Sequence, residues 1–323
     1  MRVANRAPRN AATLAIVLGS CVAVTIGAAL AGAQTPKIAS RKTVLADQRF
    51  EGYVWLDLGG QPMPFQSDES IEEFLRSATV ESIEKIPTGV TRPKKVLLAL
   101  DGVRAHAAFK YHEETKKNVN QVIAGRRHTF RVWRDSHIYD VAAYHFDRLL
   151  GLDRVPPAAP RKLKRTQGSL KIWIEGSIND KTRRDRGIEP PDSFRWNQQR
   201  QIMHIFDNLV ANRDRNLGNI LIDGNWRLWF IDCGRCFGTT EELLYTESIS
   251  YCERGLWQAL QNLNEANLRE RLDPYLTSYE IDALLVRCDK VVKRIQSLIN
   301  ELGEERVLFD LRPPSDRAPW AEQ

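Results

Sequence analysis

Asp214 and Asn219 stand five residues apart in Asn212-Arg-Asp-Arg-Asn-Leu-Gly-Asn219, and Asp232 closes the apolar run Leu228–Ile231 just before Cys233-Gly234. A loop with that spacing can aim a carboxylate at an acceptor hydroxyl while its far end offers an amide oxygen to a divalent cation. A second carboxylate then completes the protein's share of the cation's ligands. These are the needs of phosphoryl transfer, which depends on positioning and charge more than on covalent partners. Taken singly, Asp214 and Asn219 read as turn residues and Asp232 as the end of a strand. Their joint spacing favours a site, because Asp223-Gly-Asn225 between two short apolar runs signals a hairpin. That hairpin brings Asn219 and Asp232 to the same end of two adjacent strands.

The elements that must hold these residues follow from pattern. Val96–Leu100, Asp101-Gly102 and Ala105–Tyr111 read as strand, tight turn, strand. Ser70-Ile-Glu-Glu73 has the form of a capping box opening a helix that carries Ile71, Phe74 and Leu75. Residues 112–128 read as a polar loop or an irregular hairpin, and Pro87 and Pro93 bracket a turn. Ile138, Val141, Ala142, Phe146, Leu149 and Leu150 recur at helical spacing, and Gly151 ends the run. Leu170–Ile174 is a strand ending at Glu175-Gly176, residues 179–195 are a loop, and Gln198–Val210 is helical. Residues 241–310 are mostly helical, ahead of a Pro-rich tail over 311–323. A strand-rich first half and a helical second half make an α+β chain with a cleft between.

Two resemblances sharpen this reading. The segment from Asn212 to Leu221 resembles the catalytic loop of phosphatidylinositol 3-/4-kinases, with Asn216 where that family has His. The segment from Ile138 through Leu149-Leu150-Gly-Leu-Asp-Arg-Val-Pro-Pro157, with Asp232-Cys-Gly-Arg-Cys-Phe-Gly238, resembles the Golgi casein-kinase/four-jointed secretory kinases. Together they cover about residues 96–240 in the right order. The resemblance implies a two-lobed, protein-kinase-like (atypical kinase) fold, with a strand-rich N-lobe over 49–175 that includes the helix 138–150. A helical C-lobe over 176–310 would follow. It implies ATP with Mg²⁺ or Mn²⁺, Lys110 as the lysine that pairs the phosphates, and Asp140 as the helix acid that pairs with Lys110. An aspartate there is one methylene shorter than the family's glutamate, so a long or water-bridged pair is expected. Gly102 falls in the nucleotide-covering turn and Glu175 at the hinge beside adenine. Asn219 serves nucleotide and metal, Asp232 the metal, and Asp214 the acceptor. From the residues alone, Lys110 reads equally well as a strand-edge lysine, and Asp207 as a structural acid that caps or pairs with an arginine.

Composition bounds what such a chain can be. The 323 residues and eight tryptophans suit a globular chain of two lobes. Of the formal charge of +6, three units belong to Arg2, Arg6 and Arg9, leaving +3, so charge does not point to nucleic acid. Those arginines precede an uncharged, apolar run from Asn10 to Pro36, and no Asp or Glu occurs before Asp47. Residues 1–33 therefore read as a cleaved signal peptide or an uncleaved membrane anchor, followed by a linker over 34–48. Either form exports the chain to a secretory pathway, a periplasm or a membrane surface, and an organellar transit peptide is a further reading of the same features. Beyond the leader, Cys233, Cys236, Cys252 and Cys288 allow two disulfides in three connectivities, or buried free thiols. The six histidines show no metal-ligand spacing. The expected activity is a kinase acting on a protein or glycan hydroxyl. The alternatives are a pseudokinase that binds nucleotide or a protein partner without transfer, and a lipid kinase.

Overall fold

The computed structural model describes residues 53–86, 91–314 and 316–320. The expected leader over 1–33, the linker over 34–48 and residues 87–90 of the Pro87–Pro93 turn lie outside the described residues. The chain is α+β, with a strand-rich first half and a helical second half.

Helix α1 (Asp68–Ser77) opens one residue after Ser67, whose hydroxyl accepts the Ser70 backbone N–H. The expected cap at Ser70 is thus three residues late. Ser70 lies inside the helix with its hydroxyl against that of Ser67, at 2.8 Å, while Asp68 and Glu69 complement the positive end of the helix dipole. Strands β1 (Thr79–Lys85), β2 (Lys94–Leu100) and β3 (Val103–Lys110) follow. Asp101 and Gly102 join β2 to β3 with positive φ at both positions, the two-residue turn whose twist suits a hairpin. Alternation along β3 buries Val103, Ala105, Ala107 and Phe109 against Ile71, Phe74 and Leu75 of α1. Lys110 therefore lies on the other face of the sheet.

Strands β4 (Glu113–Ile123) and β5 (Arg126–Ser136) form a long antiparallel hairpin where a loop or irregular hairpin was expected. Its strands are polar and largely exposed, so no apolar alternation marks them; the turn at Ala124-Gly125, with positive φ at both residues, sets the register. Helix α2 (Ile138–Leu149) follows directly, then β6 (Ala158–Leu163) and β7 (Thr166–Ile172), which ends two residues before the expected Ile174. One antiparallel sheet runs β1-β2-β3-β7-β6. Ser169 pairs with Lys110 and Lys171 with Ala108, so the side chains of Lys110 and Lys171 share a face.

The expected loop over 179–195 holds structure. Strand β8 (Ile178–Asn179) leads into helix α3 (Asp180–Asp185), capped by the Asn179 side chain and tied by a buried Arg183–Asp180 pair at 2.7 Å. Helix α4 (Ser193–Leu209) starts five residues earlier than Gln198, with Asp192 as its cap. Its first turns were hidden from pattern because Arg195, Gln198 and Gln199 are buried polar residues. Arg195 and Gln198 are satisfied by carbonyls of Arg312 and Asp310. Strands β9 (Ile220–Ile222) and β10 (Leu228–Phe230) form the expected hairpin. Asp223 organises its turn by accepting the N–H groups of Asn225 and Arg227 and the indole N–H of Trp229.

Helices α5 (Arg254–Asn262), α6 (Glu265–Leu272) and α7 (Ser278–Leu302) complete the helical half, α7 opening with a Thr277/Glu280 capping box. Tyr144 and Phe146 of α2 pack with Phe206 of α4 and with Leu284, Val291 and Ile295 of α7 in one core. The Tyr139 hydroxyl, also on α2, donates to Glu280. A second core lies between the five-stranded sheet and α1. Helix α2 thus belongs by its apolar face to the helical core, while its first turn reaches toward the sheet.

The sheet's fit beside Lys110 depends on Gly168, where a Cβ would overlap the Lys110 carbonyl and the Phe109 ring. Gly168→Ala is expected to cost roughly 1–3 kcal/mol through overpacking, read as a lowered midpoint in urea denaturation.

Candidate active site

Asp140 sits in the first turn of α2, and its carboxylate meets three elements. One oxygen receives the Lys110 ammonium at 2.7 Å. The other receives the Lys171 ammonium at 2.5 Å and the backbone N–H of Cys233 at 2.9 Å. The expectation of a long or water-bridged Lys110–Asp140 pair is corrected: contact is direct, because α2 lies close enough to the sheet for the shorter acid to reach. Lys110 also donates to Asp232, which follows β10 in a left-handed backbone conformation.

Charge and burial together set the protonation of this group. Burial pushes the Lys110 ammonium down, but the carboxylates of Asp140 and Asp232 outweigh it and hold its pKa above the ordinary lysine value. Burial also raises Asp140, yet Lys110 and Lys171 hold it well below the usual carboxylate range. Lys110 lowers Asp232 against its own burial. Lys171 is pushed down by burial and by Lys110, even with Asp140 beside it.

The loop between α4 and β9 is built from its own polar side chains. Asn212 accepts the Asp214 N–H at 3.0 Å, and Asn219 donates its amide to the Asp214 carbonyl at 3.0 Å. That leaves the Asn219 side-chain oxygen for another ligand. The Asn219 carbonyl accepts from the Ile231 N–H, so Asn219 stands beside the strand end that leads into Asp232. Arg215 staples the same junction, donating to the carbonyls of Asn219 and Ile231 at 2.7 and 2.8 Å. Arg215 is itself held by Asp207 at 2.8 Å, which gives Asp207 the structural role expected of it. The Asp214 carboxylate, 40% exposed, is engaged on one oxygen by Arg235 at 2.8 Å.

The expected residues therefore fall into connected groups. Lys110, Asp140 and Asp232 form one ion-paired cluster, and Asp214 and Asn219 form the adjoining loop. Gly102 lies apart at the exposed β2–β3 turn, where nothing would crowd a Cβ. Glu175 follows β7 and accepts from Nδ1 of the His106 ring on β3 at 2.6 Å, and Gly176 has φ +65° at the crossing into the helical half. Lys171 was missed by sequence reasoning, although a lysine inside the apolar run Leu170–Ile174 is a visible oddity. Arg235 and its second partner Asp135 were also missed, since positions 100 residues apart leave no local signal.

Cys233 and Cys236 form a disulfide, while Cys252 and Cys288 are buried free thiols. The outcome lies between the two alternatives open from sequence, two disulfides or buried free thiols: one pair is bonded and the other pair is free. Among the described residues no cluster of three His, Cys, Asp or Glu side chains is placed to hold a metal by itself. The oxygen donors of Asp232 and Asn219 do fit a hard cation that completes its shell with phosphate oxygens and water.

No protein-family model matches the sequence, and no curated protein matches it either. Solved structures do. The chain is similar to the hydra Fam20 with sugar at 18% identity and a TM-score of 0.56, covering 75% of this chain and 91% of that one. It is similar to the Golgi casein kinase at 15% identity, with a TM-score of 0.52, and to the same kinase with Mn/ADP bound, with a TM-score of 0.53. Each of these two matches covers 75% of this chain and 78% of the other. The chain thus has the fold of these atypical kinases.

Removing the central cation tests the charge cluster. Lys110→Met is expected to destabilise the fold by about 3 kcal/mol near neutral pH, since Asp140 keeps only Lys171. Asp140 and Asp232 have lowered folded values, so their stabilisation is complete above the unfolded carboxylate value near ~4 and fades as pH falls through the folded values. The gap between wild type and variant in denaturant titrations should stay constant from pH 8 to about 5 and narrow below about pH 4.

Proposed function

We propose that the chain is an ATP-dependent phosphotransferase that moves the γ-phosphate to a hydroxyl of a protein or glycan. The observation that carries this reading is the Lys110 ammonium placed against Asp140 and Asp232 together, on the fold shared with the Golgi casein kinase. It joins the expected phosphate-binding residue to the expected metal-binding residue. The direct Asp140 contact removes one of the three motives for the pseudokinase, the shortened acid, and leaves the missing glycine-rich loop and the ATP supply outside a cytoplasm to the assay below.

In this reading 49–175 and 176–310 are the two lobes. Lys110 orients the phosphates and Asp140 keeps Lys110 charged and extended. Gly102 in its open turn covers the nucleotide, and the Glu175-Gly176 crossing lies beside adenine. Asp232 and the Asn219 amide oxygen would hold Mg²⁺ or Mn²⁺, which supplies charge neutralisation at the transferring phosphate. Asp214 receives the acceptor's hydroxyl proton. The acceptor oxygen bonds to the γ-phosphorus as the bond to the β,γ-bridging oxygen breaks, and ADP leaves with that electron pair. The Golgi casein kinase bound to Mn/ADP and the Fam20 bound to sugar support nucleotide, divalent metal and a hydroxyl acceptor. The acid-free, apolar start of the chain supports export, by a cleaved signal or an uncleaved anchor.

The test uses purified full-length chain, ATP with Mn²⁺, and dephosphorylated casein, a glycan panel and phosphatidylinositol vesicles as acceptors. Wild type should show an ATP-dependent rise in melting temperature and transfer to casein or glycan. Asp214→Ala should keep the thermal shift and lose transfer by at least about 100-fold. Asp232→Ala should lose both. Undiminished transfer by Asp214→Ala would overturn the assignment; a thermal shift without turnover would make the chain a pseudokinase, and transfer only to vesicles a lipid kinase.

A further inference from the structure

The segment after Asp232 carries an arginine that the proposed chemistry does not use. Arg235 donates from Nη1 to Oδ2 of Asp214 and from Nε to Oδ2 of Asp135, both at 2.8 Å. Asp135 is only 6% exposed in its side chain and lies on β5, beside Trp133, over whose ring the Arg235 guanidinium sits at 5.5 Å. A planar, forked cation can hold two carboxylates at a set angle, which a lysine cannot do.

Its backbone is fixed from several sides. The Cys233–Cys236 disulfide closes the loop that contains it, and the Cys236 N–H returns to the Cys233 carbonyl at 3.0 Å. The neighbouring Gly234 carbonyl accepts from the Ser136 N–H of β5 at 2.8 Å. Gly234 has no room for a side chain, since a Cβ would lie 2.7 Å from Oδ1 of Asp135. The Arg235 carbonyl accepts from Arg213 at 2.8 Å, and Arg213 lies over the Phe130 and Trp133 rings. The β4–β5 hairpin, the disulfide loop and the Asp214 loop are thereby one connected unit.

We propose that Arg235 is a positioning residue for Asp214, holding one carboxylate oxygen so that the other faces the acceptor hydroxyl, with Asp135 as its brace. An exposed aspartate on a loop otherwise samples several rotamers, and a catalytic carboxylate loses rate when its direction is not fixed. The proposal rests on the phosphotransfer reading for the acceptor and the kinetic readout; the bracing of Asp214 by Arg235 is read separately by exchange.

The experiment compares wild type, Arg235→Ala, Arg235→Lys and Asp135→Asn, all as full chains, in transfer from ATP with Mn²⁺ to dephosphorylated casein. Hydrogen–deuterium exchange of the 212–219 segment is followed in parallel without nucleotide. Arg235→Ala should lower kcat about 10–100-fold with KM for ATP changed less than about twofold. Added guanidinium should recover part of that loss, and Arg235→Lys should fall between. Asp135→Asn, which touches neither Asp214 nor substrate, should lower kcat in the same direction by a smaller factor. Exchange in 212–219 should rise in Arg235→Ala and return toward wild type in Arg235→Lys. Wild-type kcat in Arg235→Ala, a loss confined to KM for ATP, or a silent Asp135→Asn would each overturn the proposal. If wild type transfers no phosphate, the phosphotransfer reading falls and exchange alone decides: unchanged exchange in Arg235→Ala overturns the positioning role, and the graded rise sustains it.

Discussion

The carboxylate of Asp140 pairs with the ammonium groups of Lys110 and Lys171 and accepts the N–H of Cys233, and it does so at 2% side-chain exposure. Buried charge is stable only when each member is paired and hydrogen-bonded, so these contacts stand or fall together. Lys110 lies on β3, Lys171 on β7, Asp140 on α2 and Cys233 on the segment beyond β10. One short acid therefore fixes the spacing of the sheet, the helix and the strand end that presents Asp232. Tyr139, next to it on α2, ties the same turn to Glu280 on α7. The two halves of the chain meet through adjacent residues of a single helical turn.

That arrangement also explains how an acid as short as aspartate reaches Lys110 directly. The first turn of α2 lies close enough to the sheet for direct contact with Lys110, and the second lysine adds electrostatic stabilisation. The shared fold at 15–18% identity reflects the same logic. Architecture persists while the residues that fill it drift.

What was legible in the sequence was local. The spacing of Asp214, Asn219 and Asp232, the hairpin between them and the helical period of α2 are short-range patterns, and each is found where it was read. The β4–β5 hairpin was not legible, because a polar ribbon exposed on much of its surface has no alternation to betray it. The first turns of α4 were masked by buried Arg195 and Gln198, whose partners include carbonyls more than 100 residues away. Asp135 with Arg235 and Asp140 with Lys171 share that character. Their meaning is set by tertiary neighbours, and an isolated Asp or Lys in a strand carries no mark of its partner.

The Cys233–Cys236 bond has a consequence for the donor atoms that stand near Asp232. Two reduced thiols beside a carboxylate are soft donors, and they would draw zinc or another thiophilic ion into competition with magnesium or manganese. Joined to each other, the sulfurs cease to be ligands, and only oxygen donors remain at that end of β10. Oxidation thus takes two soft donors away from that end of β10 as well as closing the loop. A chain matured under reducing conditions would differ from the oxidised one in the company its carboxylate keeps.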